Sequence, residues 1–105
     1  MDAQMKKGLL DVCVLYTLKK EDTYGYKLTQ EITGLLDTSE SALYPVLRRL
    51  ESQDLLETYS TEHSGRLRKY YRITALGINR LEEYIKELKD LKNVLDYLMG
   101  GGNNG

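Results

Sequence analysis

The feature that most constrains this chain is an apolar row near its C-terminal end. Leu81, Tyr84, Leu88, Leu91, Leu95 and Leu98 recur at alternating spacings of three and four, bordered by Ile85 and Val94. That spacing is the seam of a helix that packs against another helix. Thr74 is placed to cap it, and the pattern predicts one helix from Ala75 to about Met99. A helix of about 25 residues is about 37 Å long and overshoots a domain built from the rest of a 105-residue chain. The excess predicts a subunit interface.

A second apolar helix is expected from Met5 to about Lys19. Leu9, Val12, Cys13 and Tyr16 form one stripe on it, and Leu10, Val14 and Leu18 form another. A helix apolar on two faces is buried on both. One face is expected in the chain's own core, and the stripe Leu10, Val14, Leu18 is assigned to the dimer interface with Leu81, Tyr84, Leu88, Leu91, Leu95 and Leu98.

Between these helices the period changes twice. A short amphipathic helix is expected from Tyr24-Gly25-Tyr26, with Leu28 and Ile32 inward and Gly34 as its stop. Another starts near Thr38 or Ser39 and runs to about Gln53, with Leu43, Val46, Leu47 and Leu50 inward and Pro45 predicting a kink or a start nearer Tyr44. After Asp54 the spacing becomes strand-like. Leu55 to Ser60 and Leu67 to Ile73 flank the polar connection Thr61-Glu62-His63-Ser64-Gly65, which predicts a hairpin.

Helix, helix, helix, hairpin, helix is the order of a winged helix-turn-helix, whose third helix can enter the DNA major groove. The expected fold is therefore mainly α with a small β-hairpin. Residues 1–74 form the winged helix-turn-helix, residues 75–99 the C-terminal dimerisation helix, and residues 100–105 a disordered Gly and Asn tail.

Charge supports that placement locally rather than globally. Fifteen Lys and Arg against sixteen Asp and Glu leave a formal net charge of −1. From Arg66 to Arg72, however, there is no acidic residue, and alternation puts Arg66, Arg68, Tyr70 and Arg72 on one face of the strand. Such a ribbon beside a helix-turn-helix suits the phosphate backbone of double-stranded DNA. On the third helix, Ser41, Tyr44, Pro45, Arg48 and Ser52 lie opposite the apolar stripe with Ala42 and Arg49 at its edges. Hydroxyls and guanidinium groups there can meet phosphates and base edges.

Three segments carry a resemblance: Tyr24-Gly25-Tyr26, the run Ser41-Ala42-Leu43-Tyr44-Pro45-Val46-Leu47-Arg48-Arg49-Leu50-Glu51, and the run from Gly65 through Gly77. In this order they resemble the PadR family of bacterial regulators, in the small subgroup with one C-terminal helix. The resemblance implies a dimeric winged-helix repressor, often relieved by a small aromatic or amphipathic effector. It implies DNA contacts at Tyr26, at Ser39, Ser41, Tyr44 and Arg48, and in the wing at Arg66, Arg68 and Lys69. Arg49 is added from its place on the helix. An effector between subunits would meet Tyr16, Tyr84 or Tyr97. The sequence departs from the family at Ser41-Ala42, where glycine and a hydroxyl residue are usual, and at Asp54, where glycine is usual.

Other classes fit poorly. The lone His63 and the lone Cys13 lack the neighbours that catalysis or a zinc site needs, so no enzyme, metal or cofactor is expected. One cysteine cannot form an internal disulfide, no uncharged run reaches membrane length, and no export signal is recognisable, which together predict a cytoplasmic protein. The remaining alternative is a winged-helix module that joins proteins and does not bind DNA.

Overall fold

A computed structural model of the chain describes residues 1–100. The expected tail lies outside the described residues except for Gly100. Four helices and a small antiparallel sheet are present, in the order α1 (Ala3–Lys20), β1 (Thr23–Tyr24), α2 (Gly25–Thr33), α3 (Glu40–Ser52), β2 (Leu56–His63), β3 (Arg66–Ile73) and α4 (Ala75–Leu98). No helix among the described residues is long and apolar enough to cross a membrane.

Side-chain caps set the helix starts. Asp2 accepts from the backbone N–H groups of Gln4 and Met5 at α1, Ser39 from that of Ala42 at α3, and Thr74 from that of Gly77 at α4. Each satisfies donors that a helix start leaves open. With Ser39 as cap, α3 begins at Glu40 and runs through Pro45 without a break, so the start predicted nearer Tyr44 is not found.

The core is built from one stripe of each helix. Val14, Leu15, Leu18, Leu28, Ile32, Leu43, Leu47, Leu50, Leu56 and Leu81 are all within 2% of full burial. This corrects the assignment on α1. Leu10, Val14 and Leu18 face the chain's own core, together with Leu15, and have no surface left for a partner. Leu81 likewise belongs to the chain's own core, and the seam becomes exposed only from Leu91 onward. The half-exposed stripe is instead Leu9, Val12 and Cys13, with Tyr16 half out in solvent. A helix apolar all round has no preferred inner face, and the neighbours decide which stripe turns inward.

One neighbour is polar. Asp11 on α1 is 4% exposed. It receives Arg49 Nη2 from α3 at 2.6 Å and Nη1 at 3.2 Å, and the Tyr84 hydroxyl from α4 at 3.5 Å. The carboxylate turns α1 so that Asp11 meets α3, which carries Leu10, Val14 and Leu18 inward beside it.

The sheet order is β1-β3-β2. β2 and β3 pair from Leu56 with Ile73 to His63 with Arg66, so the hairpin is longer than the expected strands and its connection is only Ser64-Gly65. Both of these residues have positive φ, 53° and 79°, as the tight primed turns that match strand twist require. The third strand, β1, pairs Thr23 with Tyr71 and Tyr24 with Tyr70, so Tyr24 belongs to the sheet and the helix expected from it starts at Gly25. Below the wing, Thr74 donates to the Asp54 carbonyl oxygen at 2.7 Å while capping α4, and any Cβ at Gly77 would collide with the Leu55 carbonyl oxygen. The wing base and the start of α4 are thereby held together.

Removing Arg49 leaves a charged carboxylate buried without its main partner. Arg49→Met is expected to lower stability by about 2–4 kcal/mol, below the full cost for a sealed pair because the arginine is partly exposed. Arg49→Met combined with Asp11→Leu is expected to recover much of that loss. Urea melts of the two variants check this, and an unchanged midpoint for the single variant would contradict it.

Candidate nucleic-acid interface

Helix α3 exposes the face that its periodicity predicts. Ser41, Pro45 and Arg48 are exposed, opposite the buried Leu43, Val46, Leu47 and Leu50. Ser39 sits at the tip with its hydroxyl engaged as the cap and within 3.2 Å of the Ser41 hydroxyl. Tyr44 is only half exposed. Its ring and hydroxyl would lie 3.5 Å from a Cβ at Gly25, and the Tyr71 ring is similarly close at 3.6 Å. Partial burial, with Glu40 and then Tyr71 adding to it, raises the pKa of its phenol. Tyr26 stands free on α2, and its hydroxyl accepts from the Gln30 amide at 3.0 Å.

Beside this helix, a row of tyrosines crosses the sheet. Tyr24, Tyr70 and Tyr59 face one another across β1, β3 and β2. Tyr59 and Tyr70 stack at 5.6 Å between ring centroids, and Tyr24 meets Tyr70 edge-on at 5.7 Å. Residues directly opposite on neighbouring strands share one face, so the row is a cross-strand ladder. Two arginines of β3 flank it two residues to either side of Tyr70. Arg68 lies 4.0 Å above the Tyr24 ring and Arg72 lies 4.9 Å above the Tyr59 ring. Lys69, on the other face, sits 5.3 Å over Tyr71. Arg68 thus stands over Tyr24, and at the next residue, Gly25, the missing Cβ leaves room for the Tyr44 ring of α3.

Acidic partners sort the cations. Arg49 is bound to Asp11, Arg72 donates to Glu57 at 2.8 Å, and Arg80 donates to Glu83 at 3.1 Å. The hydrogen bond to Asp11 is the main cause holding the Arg49 guanidinium above its ordinary pKa. Arg49, expected at the DNA surface, is therefore a clamp between α3 and α1. Among the described residues, Arg48, Arg66 and Arg68 make no ion pair with a carboxylate. Arg48 and Arg66 are exposed and Arg68 is half-buried. These three leave positive charge uncompensated on α3 and the wing of a chain that is nearly neutral as a whole.

Tyr24 stands out in the sequence only as part of the Tyr24-Gly25-Tyr26 motif, and its pairing with Tyr70 in β1 is what places its ring beside Arg68.

A second surface is apolar. Beyond Leu81 the α4 seam loses cover: Leu88 is half-buried, while Leu91, Val94, Leu95 and Leu98 are exposed. A hollow of about 270 Å³ between α1 and α4 is lined by Leu9, Val12, Tyr84, Leu88 and Leu91, among others. Of the three tyrosines expected around an effector, only Tyr84 lines this hollow. Tyr16 lies under Lys20 at 5.3 Å on the outer side of α1, and Tyr97 is 81% exposed near the end of α4.

Three packed helices, the last with a polar face beside a cationic two-stranded wing, define a winged helix-turn-helix protein. The chain belongs to the PadR-like family of transcriptional regulators, whose sequence profile matches residues 14–83. It is 40% identical over 100 residues to a protein of Lysinibacillus sphaericus, covering 90% of this chain and 92% of that one. It is 30% identical over 89 residues to transcriptional regulator Rv3488 of Mycobacterium tuberculosis, covering 84% and 83%. The crystal structure of a PadR-like transcriptional regulator from Bacillus cereus superposes with a TM-score of 0.84 at 34% identity, over 94% of this chain and 99% of that one. The family is one of transcriptional regulators rather than enzymes.

Because Arg48 and Arg66 have no acidic partner among the described residues, neutralising them removes no ion pair seen there. Arg48→Gln and Arg66→Gln are each expected to keep stability within about 0.5 kcal/mol of the parent. Thermal melts check this, and a loss like that of the Arg49 variant would assign these arginines to the fold instead.

Proposed function

We propose that the chain is a sequence-specific DNA-binding repressor that acts as a homodimer on an inverted repeat. The observation that carries this reading is the set Arg48, Arg66 and Arg68 on the third helix and the wing that follows it, without acidic partners among the described residues. In the proposed complex Ser41, Tyr44 and Arg48 enter the major groove from α3. Ser39 and Tyr26 flank them, and Arg66, Arg68 and Lys69 lie along the backbone. Membership in a family of transcriptional regulators supports the same reading.

The homodimer is supported by the bare distal half of α4. Leu91, Val94, Leu95 and Leu98 form a contiguous apolar surface on a helix with the spacing of a helix–helix seam. The proposed interface joins them with Leu88, Tyr84 and the outer stripe of α1, Leu9 and Val12. A second copy would also wall the hollow at Tyr84, giving a place for a small apolar or aromatic effector. Such a compound would relieve repression only by favouring a different spacing of the two recognition helices.

Binding to a labelled duplex, followed by fluorescence anisotropy, is expected to weaken linearly in log K against log salt. Arg48→Gln and Arg66→Gln should each reduce the slope by about one. Selection from random duplexes should return an inverted repeat whose half-sites lie about 34–36 Å apart, one turn of DNA, or a multiple of that. A dimer with no affinity for any duplex at low salt would instead be the module that joins proteins.

A further inference from the structure

Arg68 and Arg72 flank the same tyrosine on the same strand, yet their surroundings differ in one respect. Both guanidinium groups lie over a tyrosine ring, but only Arg72 also meets a carboxylate, Glu57. A stack on an aromatic face fixes the plane and position of a guanidinium through the ring's quadrupole. It occupies none of the five N–H donors, which point out along the edge of the plane. A carboxylate partner does the reverse, taking donors and cancelling charge. Arg68 is thus held in place with its donors and charge intact, whereas Arg72 is held and neutralised.

From this contrast we infer that Tyr24 is a positioning residue for DNA binding, which it serves through Arg68. Its ring pre-sets the Arg68 guanidinium on the outer half of the wing, on the face that carries Tyr70, ready for a phosphate of the same duplex that α3 reads. The inference rests on the DNA-binding reading and adds to it a residue with no phosphate contact of its own. The physical gain is preorganisation. A long, flexible side chain otherwise loses rotamer freedom when it meets its ligand, and that loss reduces affinity without changing how many charges are neutralised. Tyr24 therefore leaves the salt dependence of binding untouched and changes only its level.

The test is a double-mutant cycle on the full chain, read as binding to a labelled duplex over a range of salt concentrations. Arg68→Gln is expected to lower the slope of log K against log salt by about one. Tyr24→Leu is expected to keep the parent slope and weaken binding about three- to tenfold at every salt concentration. Tyr24→Phe keeps the ring and should bind like the parent. The double variant should bind like Arg68→Gln alone, because without the guanidinium the ring has nothing to position. Arg72→Gln, neutralising a cation already paired, should leave the slope unchanged.

Losses that add in the double variant, a Tyr24→Leu protein that binds like the parent, or a Tyr24→Phe protein as weak as Tyr24→Leu would each overturn the inference. Circular dichroism melts accompany every variant. Should Tyr24→Leu fail to fold, Arg68→Lys carries the test: it keeps the charge but lacks the flat group that stacks, so it should bind weakly with the parent slope, and parent-level binding would overturn the inference. A parent protein that binds no duplex defeats the functional reading itself, an outcome distinct from all of these.

Discussion

Three helices meet at the carboxylate of Asp11, which is nearly closed to solvent. It fixes Arg49 of α3 through two hydrogen bonds and receives the Tyr84 hydroxyl of α4, and Arg80 reaches the same hydroxyl at 3.4 Å. A charge in that position is tolerated only while its partners stay in place, so the junction admits few relative orientations of α1, α3 and α4. Leucine packing alone would permit sliding, since apolar contact has no direction. The polar junction sets the angle at which the recognition helix leaves the core with respect to the helix that carries the apolar seam. In the proposed dimer, that angle fixes where the two recognition helices stand relative to each other.

The same accounting of partners explains how a nearly neutral chain can present a cationic surface. Cations near an acid serve the fold: Arg49 with Asp11, Arg72 with Glu57, Arg80 with Glu83. Among the described residues, Arg48 on α3 and Arg66 and Arg68 on the wing have no such neighbour. Net charge therefore says little about what this chain binds, and the local pairing says much more. The wing adds a second device, a row of tyrosines across three strands that orients arginines from one side only.

Much of this was legible in the sequence because period carries it. The four helices, the hairpin and the outward face of α3 follow from spacing, and the three motifs carried the family. What was not legible depended on partners far along the chain. Arg49 sits at the edge of a cationic face, and nothing near it in sequence announces Asp11, 38 residues away. β1 has two residues, too few to show a period. Thr61, Glu62 and His63 read as a loop because both faces of the hairpin tip are exposed, so no alternation marks them as strand. The two stripes of α1 are equally apolar, and only the position of Asp11 tells which one turns inward. Asp54 has a φ of 62°, in the left-handed region that glycine suits, and nothing in the period of the sequence marks that turn.

In the proposed dimer, two copies joined along α4 and the outer stripe of α1 hold their recognition helices at a fixed separation on one side of the pair. Pulsed electron spin resonance on a Cys13→Ala, Ser41→Cys protein with a spin label at the new thiol measures that separation directly. One narrow distance distribution near one turn of DNA, about 34–36 Å, is expected. A broad distribution, or no distance between two copies at all, would contradict the proposed dimer.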